Sequence, residues 1–502
     1  MNTTLPPPLP PKDSPRQLLI AIAGSILAVF AADFLFWGVV PGISISLFGL
    51  IFMIVILVSR TRAAILSRKT LLLSVLLVGA LTATALEISF TNICVLLAFF
   101  TILSGETFFC DRPQFWSRWL SQVGAIIQFP GRILWIRSST MSLLPSSSTG
   151  ILRIFGWFAG VVLPVVLLTA LFALILGAGN AILGTWVNQF FSEFWKWLTS
   201  FDFSIGRVIF WTFVTLLSLA LIRPAQTGRF WWAWMDRIGR FRKPAKPSLA
   251  YWRSVLILAA LNALFCAANS IDAFFLWTHQ SIPQGVTYAQ FVHQGTAQLI
   301  AATLLSALVL IILFNQDESL SGRTLLRITA WVWIGQNLFL LTSIALRLKL
   351  YVDAYNLTSQ RISVLIFLLI VGGGFLLLSW KILREKSLLW IFGANFALVF
   401  TVFYTVQFLD LGAMAAEYNV SRSEKDPECR IDLVYLKSLG SSGWNSLQRV
   451  AEKEGRGTDP FGASAILAGV RRDNDEGKFN LNWRSWQARR AWNLHRFLSS
   501  HS

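Results

Sequence analysis

Residues 331–361 read WVWIGQNLFLLTSIALRLKLYVDAYNLTSQR. The stretch opens as an apolar helix carrying a polar pair, Gln336 and Asn337. It then gathers Arg347, Lys349, Tyr351, Asp353, Tyr355 and Thr358 before another apolar run begins. Two apolar runs joined by a polar, aromatic boundary are what two membrane-crossing helices and their interfacial turn look like. Arg347, Tyr351 and Tyr355 stand at i, i+4 and i+8 and would share one helix face. Asn356 suits the left-handed residue that ends a helix, and Thr358 or Ser359 suits the cap of the next. Arg347 has three candidate partners: Asp353, Asp272 and Glu417. A polar substrate or lipid-headgroup site is one reading. The expected one is a helix-turn-helix corner locked by hydrogen bonds.

Composition extends this outward. The chain has 502 residues, of which 55% are hydrophobic and 14% charged, and its mean hydropathy is +0.60. A soluble domain carries about 25% charged residues, so most of this chain belongs in lipid. The 22 tryptophans and 40 phenylalanines fit rings at the headgroup level. A net charge of +18 would suit nucleic acid, but the Lys and Arg lie in connections between apolar runs. There they set topology and meet anionic lipid, so no nucleic-acid partner is expected. Cys94, Cys110, Cys266 and Cys429 are far apart and form no zinc-type spacing or expected disulfide. The N-terminus, MNTTLPPPLPPKDSPR, lacks the features of a cleavable signal and reads as a disordered, partly polyproline-II tail over residues 1–16.

A spanning helix needs about 20 mostly apolar residues. Eleven segments qualify, near 17–38, 41–58, 70–86, 88–104, 153–176, 205–222, 253–276, 292–314, 325–347, 361–380 and 387–409. Pro164 should kink the fifth. Basic connections alternate with neutral ones through the first seven crossings, which puts the N-terminus in the cytoplasm. An odd number of spans then puts the C-terminal region outside. The connection at 223–253 mixes Arg229, Arg237, Arg240, Arg242 and Lys243 with Trp231, Trp232, Trp234 and Trp252. It is expected to lie at the interface against anionic headgroups.

From residue 411 onward 14 Lys/Arg and 11 Asp/Glu appear and no further span is possible. IDLVYLKSLGSSGWNSLQRVAEKEG places leucines at helical spacing and is broken at Gly440 and Gly443, which predicts a helix pair. NWRSWQARRAWNLHRFL predicts a terminal amphipathic helix with Trp483, Trp486, Leu494 and Phe497 on its apolar face. Residues 1–16, 17–410 and 411–502 are therefore expected as tail, transmembrane domain and small helical C-terminal domain of an all-α protein.

Motifs of enzyme chemistry are missing: there is no H-E-x-x-H, Walker A, G-x-G-x-x-G or G-x-S-x-G, and the four histidines show no ligand spacing. No catalytic residue, metal or cofactor is expected. An ionisable group inside a span costs roughly 2.5–3.5 kcal/mol at the bilayer centre and is a functional candidate by default. Asp33 and Asp272 fall near span ends, where an interfacial carboxylate is the plainer reading. Gln336 and Asn337 lie near mid-span, where bonds to neighbouring helices are expected. The candidate polar site is Arg347, Tyr351, Asp353, Tyr355, Asn337, His293 and Glu417.

Residues 285–301 (GVTYAQFVHQGTAQLIA), 331–361 and 411–420 (LGAMAAEYNV) resemble an uncharacterised bacterial family of polytopic membrane proteins, domain of unknown function 4173, which is related to domain of unknown function 4153. Residues 31–50, 432–440 (DLVYLKSLG) and 482–486 (NWRSW) fit as well, so the resemblance covers most of the chain. Gln290 stands where the pattern has Glu, and Asn356 where it has Gly. The second change keeps the left-handed geometry, which Asn tolerates next best after Gly. The resemblance implies a fold and a bacterial inner-membrane location and supplies no activity. Three functions stay open: a non-enzymatic transporter-like or envelope scaffold protein, an enzyme acting on a lipid-linked substrate with His293 or Glu417 as acid or base, and a sensor using residues 411–502.

Overall fold

The computed structural model describes residues 15–108, 122–123, 185, 188–193, 196, 204–222, 247–278, 296–314, 324–426, 429, 431–454, 462–476 and 482–499. The N-terminal tail to residue 14, the segment 153–176 with Pro164, and the basic connection 223–246 lie outside them. Every regular element among the described residues is helical. Apart from a single helical turn at Arg62–Ile65 and a π-helical turn at Ala273–Trp277, these are in order α1 (Pro15–Phe36), α2 (Ile43–Val58), α3 (Arg68–Leu86), α4 (Phe90–Phe108), α5 (Ile205–Ile222), α6 (Pro247–Asp272), α7 (Thr296–Leu313), α8 (Thr324–Tyr355), α9 (Ser359–Arg384) and α10 (Leu388–Val406). After them come α11 (Leu411–Lys425), α12 (Leu433–Ser438), α13 (Trp444–Glu454), α14 (Ala463–Asp475) and α15 (Ala488–Ser499).

Ten of the eleven apolar segments coincide with α1–α10. Five helices, within α3, α4, α6, α8 and α9, are long and apolar enough to cross a membrane. The pair α10 and α11, bent by 65°, makes a sixth if it is one broken span. The apolar stretches Ile22–Phe36, Ile43–Val58, Gly206–Ile222 and Leu299–Ile311 are shorter, so among the described residues length and composition support five or six spans. Side chains mark where several helices start. Thr358, Ser387, Asp410 and Asp432 each accept a hydrogen bond from a main-chain N–H of the first turn, which satisfies a donor the helix cannot.

The chain divides into two compact units. Unit one comprises residues 1–82, 96–233 and 483–485. In it α1 lies against α5 and α2. Its core is aromatic and aliphatic: Phe52 meets Phe100 edge to face at 5.5 Å, and Leu77, Phe99 and Leu103 are fully buried. Arg60, read from the sequence as a topology-setting loop charge, donates to the last carbonyls of α5, Ile222 at 2.7 Å and Leu221 at 3.1 Å, and to Thr107 at 3.1 Å. A guanidinium at a helix C-terminus meets orphan carbonyls and the negative end of the dipole together.

Unit two comprises residues 83–95, 234–482 and 486–502. One apolar cluster, centred on the buried Trp333, Leu258, Leu310, Leu326 and Phe375, ties α6, α7, α8 and α9. A second, of Leu436, Trp444, Leu447, Leu467 and Phe497, ties the short helices after residue 411. The predicted helix pair is present, with Gly440 at φ 56° where the chain turns. A side chain at Gly443 would collide with the Leu436 carbonyl.

The terminal helix differs from its sequence reading. Trp483–Ser485 is a 3-10 turn and the helix starts at Ala488. Trp483 and Trp486 are exposed, and only Phe497 of the expected apolar face is fully buried. Two hydrogen bonds within unit one explain the break: Arg484 donates to the Phe34 carbonyl at 2.5 Å, and Ser485 donates to that of Val40. These contacts outweigh the local helical period.

Candidate functional site

The α8–α9 corner is hydrogen-bonded throughout. Asn356 adopts φ 64°, the left-handed geometry that Asn tolerates, and Thr358 caps α9. Asn419, from the LGAMAAEYNV segment on α11, accepts from the Leu357 N–H at 2.7 Å and donates to the Leu357 carbonyl at 2.8 Å. Its amide thus pairs with Leu357 as a second peptide unit would. Tyr435 Oη accepts from the Ser359 N–H at 2.8 Å. Arg422 donates to the last-turn carbonyls Val352 and Asp353 at 3.0 and 2.7 Å. Arg361 donates to the carbonyl of Tyr355 at 2.7 Å and sits 4.4 Å above the Tyr351 ring. Two segments 62 positions apart, each part of the family resemblance, are therefore one structural device.

The candidate polar residues do not converge. Arg347, 6% exposed, pairs with Asp272 on α6. Tyr351 and Tyr355 pack on each other at 4.8 Å, and Asp353 lies 3.9 Å from Arg422. Asn337 donates to the Trp333 carbonyl one turn back, at 2.8 Å. Glu417 pairs with Arg449 among the C-terminal helices. His293 and the basic residues Arg229, Arg237, Arg240, Arg242 and Lys243 lie outside the described residues.

The Arg347–Asp272 pair closes one end of a polar seam between α6 and α8. The seam is periodic: Asn262 and Asn269 are seven residues apart, as are Thr329, Gln336 and Ser343, and seven residues return to one helix face after two turns. Asn262 Nδ2 donates to the Thr329 carbonyl at 3.0 Å, and Gln336 Nε2 donates to the Asn262 carbonyl at 3.1 Å and to its Oδ1 at 3.0 Å. Asn269 Nδ2 donates to the Gln336 carbonyl at 3.1 Å, and Trp277 Nε1 donates to Ser343 Oγ at 3.1 Å. From Gln336 to Arg347 the seam runs about 16 Å along α8 at 1.5 Å per residue.

Those bonds fix the amide orientations, because a main-chain carbonyl accepts only from the NH2 end. Three oxygens are left over. Asn269 Oδ1, Gln336 Oε1 and Asp272 Oδ2 are buried and have no hydrogen-bond partner among the described residues. A buried oxygen without a donor costs about 1–3 kcal/mol, so three on one seam form an acceptor line suited to water or a small cation.

In the sequence Asn262 and Ser343 stay hidden, and Asn269 shows only as a neighbour of Asp272, since one small polar residue in an apolar run carries no signal. Their seven-residue recurrence is the signal that could have found them. A second pair, Asp33 with Arg207, joins α1 to α5 in unit one, with Arg207 Nε donating to Asp33 Oδ1 at 2.7 Å and Trp211 Nε1 donating at 2.8 Å.

Among the described residues every regular element is helical and five or six apolar helices are long enough to cross a membrane; with polar groups turned inward between two of them, this is an integral membrane protein. Residues 18–450 match the family described as Domain of unknown function (DUF4153), and the chain belongs to that family. No curated protein and no solved structure matches it.

Proposed function

We propose that the protein is a non-enzymatic, transporter-like membrane protein whose polar path is the α6–α8 seam. The observation that carries this reading is the buried Arg347–Asp272 pair, side chains 7% exposed each, continuing into a line of acceptor oxygens without donors. A scaffold needs no such line, because a helix pair is held as well by apolar packing and by fully paired amides. An enzyme acting on lipid would need Arg347, Tyr351 and Asp353 open to a headgroup. Their engagement with Asp272, Arg361 and Arg422 favours the carrier over it. The proposal takes about eleven spans in a bacterial inner membrane, with the N-terminus cytoplasmic. Residues 411–502 form a helical domain outside, and the basic connection at 223–253 lies on anionic lipid. It also likens the chain to the related domain of unknown function 4173, on the strength of residues 331–361.

Thiol accessibility tests this. With the native cysteines replaced by serine, Asn269→Cys in oriented proteoliposomes is treated with a membrane-impermeant thiol reagent added to one side and then the other. Labelling from either side, abolished by prior block with a small permeant thiol reagent, is the expected outcome. A thiol that reacts from neither side identifies a sealed helix contact and removes the carrier reading.

A further inference from the structure

The helices after residue 411 line a half-open cavity of 710 Å³, within the about 300–1,000 Å³ usual for small-ligand sites. Its walls come from α11, α13 and α15, and its polar lining includes Glu417, Asn445, Gln448, Arg449, Glu452 and Arg496. These charges fall into two kinds. Arg449 is engaged on both sides, by Glu417 and by Glu424 at 2.6 Å. The hydrogen bond to Glu417 holds its guanidinium above the ordinary arginine value. Arg496 and Glu452 are different. Among the described residues the Arg496 guanidinium meets no acceptor, and the Glu452 carboxylate meets no cation and accepts only from the neutral amide of Gln448, at 3.1 Å. The cavity therefore presents one uncompensated positive and one uncompensated negative group, with the amides of Asn445 and Gln448 on the same lining.

We propose that this cavity binds a small zwitterion, its carboxylate or phosphate at Arg496 and its primary ammonium at Glu452. An anion alone would meet Glu452 and Glu417, and a cation alone would meet Arg496 and Arg449. Only a ligand of both signs meets each charge with its opposite. Met414 and Ala413 on the same wall accept a short apolar stem. A free amino acid and the phosphoethanolamine headgroup of a lipid share this chemistry. The inference does not rest on the carrier reading and holds whether or not the α6–α8 seam conducts.

The test uses the full-length protein in detergent and measures thermal stabilisation and binding by titration calorimetry. The probes are L-alanine and phosphoethanolamine, with acetate, inorganic phosphate and methylammonium as single-charge controls. Saturable stabilisation by a zwitterion, matched by none of the controls, is expected. Arg496→Gln and Glu452→Gln each weaken it about tenfold, the loss of one charge-assisted hydrogen bond. Both side chains are exposed, so the unliganded melting temperature stays unchanged and separates lost binding from lost fold. Tighter binding of L-alanine assigns a free amino acid, and tighter binding of phosphoethanolamine assigns a lipid headgroup. The proposal is overturned by no binding of either up to about 10 mM, the weak end of specific affinity. It is equally overturned by a single-charge ion that stabilises as well, or by variants that bind like the parent protein.

Discussion

Unit one and unit two each contain an aspartate–arginine pair between two apolar helices, and the two pairs are finished differently. In unit one both oxygens of Asp33 are bonded, by the two arms of Arg207 and by the Trp211 indole. Trp37 and Trp211 flank the guanidinium at 5.7 and 5.5 Å, and the side chains are 17% and 42% exposed. In unit two the side chains of Asp272 and Arg347 are each 7% exposed; Arg347 bonds Asp272 Oδ1, the Ser343 hydroxyl is the other donor beside the carboxylate, and Oδ2 makes no hydrogen bond of ordinary geometry among the described residues. The more solvated pair is thus the more completely satisfied one. Stability alone favours the reverse, because an unmet polar atom costs most where no water reaches it. The Asp33 cluster has the fully bonded geometry of a clamp, and under the carrier function proposed above the Asp272 cluster is the group kept ready for an incoming partner.

The sharpest break to this contrast is Arg347→Ala. Leaving Asp272 buried without its cation should lower the unfolding free energy in mixed detergent micelles by about 4 kcal/mol, whereas replacing Asp272 and Arg347 together by leucine should recover most of that loss. A double variant as weak as the single one would mean that the pair is needed structurally and is not a held charge. Asn419→Ala comes next. It strands the N–H and carbonyl of Leu357 and should cost about 2 kcal/mol with no charge removed. In unit one, Trp211→Phe removes a single donor from Asp33 and should cost about 1 kcal/mol. A larger loss there than at Arg347 would invert the comparison. The smallest effect belongs to Asn269→Leu, which deletes one hydrogen bond together with one orphan oxygen and should stay within about 0.5 kcal/mol. Its mark should be a change in thiol labelling at a neighbouring Ser343→Cys reporter.

How much of this the sequence could say depends on the range of the interaction. Apolar runs without interior proline read directly as α1–α10, since a helix satisfies its own backbone. The turn at Asn356 and the cap at Thr358 are equally local and were legible. The partner of Arg347 was not: Asp353, Glu417 and Asp272 were all acceptable, and the choice fell to Asp272 through helix packing across 75 positions. Arg207 stands 174 positions from Asp33, and nothing near either residue announces the other. Arg60 shows the same limit, because a basic residue at a span end satisfies the charge rule whether or not it also caps α5. The terminal helix was misjudged at Trp483 because two hydrogen bonds to distant carbonyls overrode a good local pattern.

The Asn419 amide, finally, sets an order of events during synthesis. It bonds the α8–α9 corner from 62 positions downstream, so the corner leaves the ribosome without that partner. At about 5–20 residues per second, roughly 3–12 s pass before the missing amide is made. During that interval the N–H and carbonyl of Leu357 lack their side-chain partner, and Tyr435 reaches the Ser359 N–H later still. Membrane insertion of α8 and α9 and their final locking are therefore separate steps, and the second waits on the C-terminal segment.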